Sequence, residues 1–517
     1  MRRACALDDI EEGGCLGVEI DGEPLLLHRL GDRVTALQGR CPHQGAPLAE
    51  GAIGGGLVVC PWHHAVFELE SGARRHGPGL GRLRRHAAQV EKGAIWVGAA
   101  LDEPPPPAPR PHGLRIVVVG AGAAGLACVD ALRARGHDGP LTLIDAEDDP
   151  LYERTAMSKD VLRGAADRTA IRRIGRAELE RMGVALRFGE RVAAIRAETR
   201  EVALESGERL AYDRCFAAPG AAARRLDLPG AELDGVRTLR SAEDAEALLG
   251  AARAAGRCVV IGGGFIGLEA AGSLAQAGVA VRLLAREAAP GAKRLGPDIA
   301  ALAERALRRA GVEGTTGVEP EAFEGEDGRL ARVRLSTGET LETKLALLAV
   351  GEARRGGLFA PAEGDGAVPT DDGLRVAERL WAGGDAAARA GARTRHWRAA
   401  EEEGRMAATA MLGFDRPAEA VPFFWTEIGG KDDMVGLHMA GRTDPELPYF
   451  DVGAVQENDF TRWMLDGDEV VGAIGSGARD RAAGWHLARL SRGPVRREAL
   501  QAAGWDPLAM LAREAGR

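Results

Sequence analysis

Lysine is scarce in this chain. Of 67 basic residues only Lys92, Lys159, Lys293, Lys344 and Lys431 are lysines. The net charge is −9 and the pI near 5.8, so no basic footprint for nucleic acid exists. The seven cysteines include no C-x-x-C pair, which argues against a thioredoxin-like dithiol and against a disulfide scaffold. A reducing compartment is expected. No long hydrophobic run occurs either: the stretch from Ile116 to Val129 is too short and glycine-rich to span a bilayer. Arg2-Arg3 is followed by Asp8, Asp9, Glu11 and Glu12, not by an apolar segment, so no export signal is expected. The expected location is cytoplasmic, with no membrane partner. A chain of 517 residues implies about three or four domains.

Cys41-Pro-His43 and Cys60-Pro-Trp-His63 stand out, with sixteen residues between them. Each segment supplies one thiolate and one imidazole. Zinc also takes two Cys and two His, but its fingers usually pair like ligands, C-x₂₋₄-C and then H-x₃₋₅-H. The order C-x-H…C-x-x-H, with Gln44-Gly45-Ala46-Pro47-Leu48 after the first pair and Ala65-Val66-Phe67-Glu68 after the second, resembles the ligand loops of Rieske ferredoxins. That resemblance makes Cys41, His43, Cys60 and His63 the candidate ligands of a [2Fe–2S] cluster, two Cys on one iron and two His on the other. Gly45 would let the backbone approach an inorganic sulfur. High-potential respiratory Rieske proteins carry a disulfide at positions that here are Ala46 and Trp62. The expected likeness is therefore to the oxygenase-serving ferredoxins, near the bottom of a range of roughly −150 to +300 mV. His64 and His76 are expected as solvated side chains, since two His already complete the set.

Residues 1–101 show short glycine-bounded apolar segments, such as Leu25–His28, Val34–Leu37 and Ile95–Val97, and predict a small all-β domain. Pro104-Pro105-Pro106-Pro107-Ala108-Pro109-Arg110-Pro111 then reads as a semi-rigid polyproline spacer, the linker 102–111. Such a tether keeps the cluster concentrated near the remainder of the chain.

Beyond it, the strand Arg115–Val119 leads into Gly120-Ala-Gly122-Ala-Ala-Gly125 and a helix, and the strand Leu141–Ile144 ends at Asp145. About 140 residues later Cys258–Ile261 leads into Gly262-Gly-Gly264-Phe-Ile-Gly267, a helix and the strand Val281–Leu284. Two G-x-G-x-x-G fingerprints, each with an acid twenty residues on (Asp145, Glu287), predict two dinucleotide sites. The glycines allow close approach of pyrophosphate to a helix N-terminus.

Tyr152-Glu-Arg154-Thr-Ala-Met-Ser158-Lys159 is similar to the Y-D-R-P-P-L-S-K segment of ferredoxin reductases and apoptosis-inducing-factor-like proteins. Ala218-Pro-Gly220-Ala-Ala-Ala-Arg224 is similar to their A-T-G-x-x-P-R turn, with Pro219 for Thr and Ala223 for Pro. Trp381-Ala-Gly383-Gly384-Asp385, His396-Trp397 and Phe423-Phe424-Trp425-Thr426 match further family segments, and Gly77-Pro-Gly-Leu fits the branch that carries a Rieske domain. The chain thus resembles Rieske-containing apoptosis-inducing-factor-like oxidoreductases along nearly its whole length.

The resemblance implies a multidomain chain: an N-terminal all-β Rieske domain, then an α/β flavoreductase with two dinucleotide-binding domains and a C-terminal α+β interface domain. FAD would occupy 112–240 and 359–415, NAD(P)H 241–358, and 416–517 would form the reductase or dimerisation-like domain. It implies FAD contacts from Gly120, Gly122, Gly125, Asp145, Arg154, Lys159, Val192, Gly220, Asp385 and Trp425. NAD(P)H would meet Gly262, Gly264, Gly267, Glu269, Glu287 and Gly351. Lys159 and Glu269 are the candidate catalytic residues, Lys159 beside the flavin and Glu269 near the nicotinamide. Ala285 stands where NADH-binding relatives carry Glu and Arg286 would suit a 2′-phosphate, yet Glu287 favours NADH.

The expected activity is electron flow from NADH or NADPH to FAD, to the Rieske cluster, and to an electron-accepting redox protein (an oxygenase component or similar) or a small oxidant. A homodimer is among the expected states. The alternative is a redox-sensing, NADH-binding flavoprotein with slow turnover, and a third reading gives the Rieske domain only a docking role.

Overall fold

Glycine-bounded strands build the first hundred residues of the computed structural model, which describes residues 1–102, 113–359, 366–391, 396–415, 421–477 and 479–515. The proline-rich segment Pro104–Pro111 lies outside the described residues. A six-stranded antiparallel sheet runs in the order Arg2–Ala6, Ala94–Ala100, Arg85–Glu91, Arg33–Gln38, Glu23–Leu30, Cys15–Ile20. A smaller sheet of Ala52–Gly54, Leu57–Val59, Val66–Glu68 and Arg74–His76 stands beside it. The two Cys/His segments are loops leading into and within this smaller sheet.

The first parallel sheet orders Val184–Phe188, Leu141–Asp145, Ile116–Val119, Arg214–Ala217 and Leu380–Ala382, closed by the antiparallel edge strand Arg375–Ala377. Ile116–Val119 is buried on both faces, which explains its unbroken apolar run. A second parallel sheet orders Val236–Thr238, Ala346–Leu348, Arg257–Ile261, Ala280–Ala285 and Glu313–Thr316. Helices Ala123–Ala134 and Phe265–Gln276 follow the two central strands, each capped by the middle glycine of its fingerprint, Gly122 and Gly264. The third glycines serve packing: a Cβ on Gly125 would meet the carbonyl oxygen of Gly120, and one on Gly267 that of Gly262. The last sheet, Phe423–Ile428, Val435–Gly441, Glu469–Ser476, Asp459–Asp466 and Tyr449–Ala454, is antiparallel and covered by helix Arg479–Arg492. Among the described residues no helix is long and apolar enough to cross a membrane.

The N-terminal β domain is docked, not merely tethered. Ala52, Val59 and Val66 share one apolar core with Phe423, Trp425, Ala440, Trp485 and Leu487 of the last sheet and its helix. Polar contacts reinforce this seam. Arg398 Nη1 donates to the His64 carbonyl at 3.1 Å, and Arg405 Nη2 to that of Gly77 at 3.0 Å. Glu402 accepts from the Gly77 amide at 2.8 Å, and Arg74 pairs with Asp130 at 2.6 Å.

This docking corrects the expectation that His64 and His76 are solvated. His64 is fully buried against the rings of Phe423 and His438. His76 is largely covered and lies 3.7 Å from Glu402. A domain read alone leaves these side chains in water; the seam with the C-terminal sheet removes them from it.

Candidate functional site

The two Cys/His loops share one backbone design. The amide of Cys41 donates to Ala46 and that of Cys60 to Ala65; Gly45 and His64 return a hydrogen bond to the respective cysteine carbonyl. Gly45 and His64 both take positive φ, +77° and +54°, so His64 holds the left-handed turn that glycine holds in the first loop. A non-glycine residue there costs about 1–2 kcal/mol. Burial and the bond from Arg398 hold it in place.

Folding sorts the four candidate ligands by type, although each loop supplies one of each. The Cys60 thiol, pulled down to about 7, is hydrogen-bonded by Cys41, whose own thiol is pushed up by the same bond and by burial. The rings of His43 and His63 meet edge to face with centroids 4.8 Å apart. Both Nδ1 atoms are buried without a hydrogen-bond partner, as lone pairs awaiting a metal would be. Among the described residues no three His, Cys, Asp or Glu side chains converge on a single-ion centre. A zinc ion needs four ligands about one point. A pair of thiols beside a pair of imidazoles fits a binuclear cluster instead.

Burial keeps His63 neutral, pushing its pKa well below the usual range. Its ring lies 4.8 Å from that of Trp425. The His43 side chain is 1% exposed and its Nε2 lies 2.9 Å from Glu153 Oε2. Both imidazoles therefore face the body of the protein, while Trp62, between Cys60 and His63, is 45% exposed.

Trp425 also lines a cavity of about 1810 Å³ that runs between the two parallel sheets. The cavity exceeds the range of roughly 300–1,000 Å³ usual for one small ligand, and it has room for two dinucleotides end to end. Gly120, Gly122, Asp145, Arg154, Lys159, Val192, Gly220 and Asp385 line it on the first-sheet side. Gly262, Gly264, Glu269, Glu287 and Gly351 line it on the second. Gly125 and Gly267 stand behind the wall, where they let each helix approach its strand. Asp145 Oδ2 accepts from the Ala121 amide at 2.7 Å, and its pKa is raised by burial. Arg154 pairs with Glu147 at 2.7 Å, and Asp385 with Arg240 at 3.1 Å. Arg286 is exposed and lies 3.9 Å from Glu287 and 3.7 Å from Glu319.

Between the two halves sits a buried polar knot. Lys159 Nζ lies 2.9 Å from Glu269 Oε1 and donates to the Thr155 carbonyl at 3.1 Å. Thr426 donates to Glu269 Oε1 at 2.7 Å and Ser158 to Oε2 at 2.5 Å. Sequence reasoning does not single out Ser158, Thr426 or Glu153. Ser158 and Glu153 lie inside the Tyr152–Lys159 segment and Thr426 follows Trp425, so position within a motif is the available signal.

Known proteins resemble both parts of the chain. Residues 114–404 match the pyridine nucleotide-disulphide oxidoreductase family, and residues 2–87 match the Rieske [2Fe-2S] domain. Apoptosis-inducing factor 3 of Homo sapiens is 28% identical over 493 residues, covering 90% of this chain and 80% of that protein. The biphenyl dioxygenase system ferredoxin–NAD(+) reductase component of Paraburkholderia xenovorans is 33% identical over 62% of this chain and 80% of its own length. A crystal structure of the covalent putidaredoxin reductase–putidaredoxin complex superimposes with a TM-score of 0.71 at 26% identity, over 78% of this chain and 99% of that one. The chain belongs to the pyridine nucleotide-disulphide oxidoreductase family, as an FAD-dependent NAD(P)H oxidoreductase that also carries a Rieske [2Fe–2S] domain.

Proposed function

We propose that the chain is a self-contained electron-transfer enzyme in which the fused Rieske domain replaces a separate ferredoxin and serves an external redox protein of the oxygenase-component type. The bound groups supply hydride acceptance from NAD(P)H at FAD and one-electron storage at the cluster. One observation carries the reading: the Trp425 ring borders the dinucleotide cavity and also touches the ring of His63.

The residues have distinct tasks in this reading. Cys41 and Cys60 would hold one iron and His43 and His63 the other, through the unpartnered Nδ1 atoms. Gly120, Gly122, Asp145, Arg154, Val192, Gly220 and Asp385 would hold FAD. Gly262, Gly264, Glu269, Glu287 and Gly351 would hold the nicotinamide nucleotide, with the Glu287 carboxylate favouring an unphosphorylated ribose. Lys159 and Glu269, neutralising each other at the junction, would orient the two rings and keep water from them. Trp425 belongs to the apolar core of the docked seam, and its ring lies 4.8 Å from that of His63. With both imidazoles turned inward, the external acceptor meets the cluster from the Trp62 side.

Anaerobic titration with NADH and NADPH tests this, following flavin absorbance together with the EPR signal of a nitrogen-ligated [2Fe–2S] cluster. Bleaching of both chromophores by NADH is expected. Flavin bleaching with no cluster signal would overturn the relay.

A further inference from the structure

We infer that Glu153 is a positioning residue for the cluster site: its carboxylate fixes His43 through Nε2, and its charge lowers the reduction potential of the cluster held there. The inference rests on Cys41, His43, Cys60 and His63 being the cluster ligands.

Glu153 lies in the Tyr152–Lys159 segment, most of whose members turn toward the dinucleotide cavity. Arg154, Thr155, Met157, Ser158 and Lys159 all line that cavity, and Glu153 does not. Its amide donates to the Ile171 carbonyl at 2.9 Å, and its side chain turns to His43 of the β domain instead. The side chain is 2% exposed. Oε2 lies 2.9 Å from His43 Nε2 and 3.3 Å from Arg173, and Oε1 accepts from Thr155 Oγ1 at 2.6 Å. A carboxylate buried this deeply is costly unless its partners are in place. Here they come from both domains.

A neutral imidazole donates through one nitrogen and offers a lone pair at the other. A carboxylate at Nε2 makes Nε2 the donor and leaves the lone pair on Nδ1. That is the atom found buried and without a partner. Outer carboxylates of this kind orient metal-bound histidines and raise their basicity. A more basic ligand and a nearby negative charge both favour the oxidised cluster over the form that has gained one electron. Arg173 offsets part of this charge, but it is shared with Glu401 at 2.7 Å. No proton needs to move in this account; the fixed charge acts on the added electron.

The test is a mediated redox titration of the full-length holoprotein, read by cluster EPR and independent of NADH. Glu153→Gln keeps an acceptor for Nε2 and removes the charge. It is expected to shift the midpoint potential positive at unchanged iron and sulfide content. Glu153→Asp should restore most of the wild-type value. Arg173→Gln removes the offsetting cation and should shift the potential negative, so it decides the matter if Glu153→Gln fails to load a cluster. Glu401→Gln touches Arg173 but not His43 and should move the potential less than Glu153→Gln. A loaded Glu153→Gln with the wild-type potential, an Arg173→Gln with no negative shift, or a Glu401→Gln shift as large as that of Glu153→Gln would overturn the inference. Because mediators set the potential, a failure of the NADH relay leaves these readings intact.

Discussion

Lys159 and Glu269, 110 residues apart, form a buried ion pair with Nζ 2.9 Å from Oε1 that joins the two dinucleotide units. Removing one member strands the other charge in a buried site, a loss of about 3–5 kcal/mol. Lys159→Met and Glu269→Gln should therefore each destabilise the protein strongly, and the double variant should cost less than their sum. Urea denaturation of the four proteins gives the coupling. Simple additivity would mean that the pair does not act as a unit.

The two fingerprint glycines behind the cavity wall should fail differently. Gly125→Ala forces a side chain into the carbonyl of Gly120, and Gly267→Ala into that of Gly262. The first variant is expected to lose bound FAD. The second should retain FAD and lose its bleaching by NADH, with dithionite still effective. Flavin absorbance of the purified variants distinguishes them, and equal FAD loss in both would contradict the assignment of the two units.

Trp425→Leu should separate two events. Flavin bleaching by NADH is expected near the wild-type rate, while appearance of the reduced cluster slows by about tenfold or more, equivalent to about 1.4 kcal/mol of barrier. Anaerobic stopped-flow mixing with freeze-quench EPR measures both. An unchanged rate of cluster reduction would remove Trp425 from the route.

Acid should weaken the fold through buried histidines. Burial lowers His396 and His438 to about 4, against 6.5 for a free imidazole. The native state then binds fewer protons than the unfolded chain between those two values. The stability is fully present above pH about 6.5 and declines as pH falls toward about 4, by up to about 1.4 kcal/mol per pH unit for each histidine. His396 adds a local effect. Its Nδ1 accepts from the Ala399 amide at 3.4 Å and caps helix Trp397–Met411, a bond that protonation removes. Urea midpoints measured at pH 7 and pH 5 should fall together with helix-end hydrogen-exchange protection; a flat profile would contradict this.

Much of the site was legible because it is written in local backbone demands. The strand–glycine–helix units appeared where expected: Arg115–Val119 became Ile116–Val119, and Cys258–Ile261 became Arg257–Ile261. Gly120 and Gly262 take positive φ that other residues resist, so their spacing alone marks the turns. The loops of the candidate ligands Cys41, His43, Cys60 and His63 are likewise local, closing on themselves within six residues.

The environment of those candidate ligands was not legible. His64 reads in sequence as a spare solvated histidine, and the structure buries it completely. Nothing near Glu153 in the chain says that its carboxylate turns from the cavity to His43, 110 residues away. The same holds for Thr426 and Ser158 closing on Glu269, and for Arg398 reaching back to the carbonyl of His64. Sequence by itself determined the chemistry: two thiolates, two imidazoles and two glycine-rich turns, each set by residue type and short-range geometry. Tertiary structure alone decided orientation, because packing the β domain on the last sheet chooses which side of each imidazole meets water. It chose neither side for His43, turning that ring toward Glu153 and the ring of His63 toward Trp425.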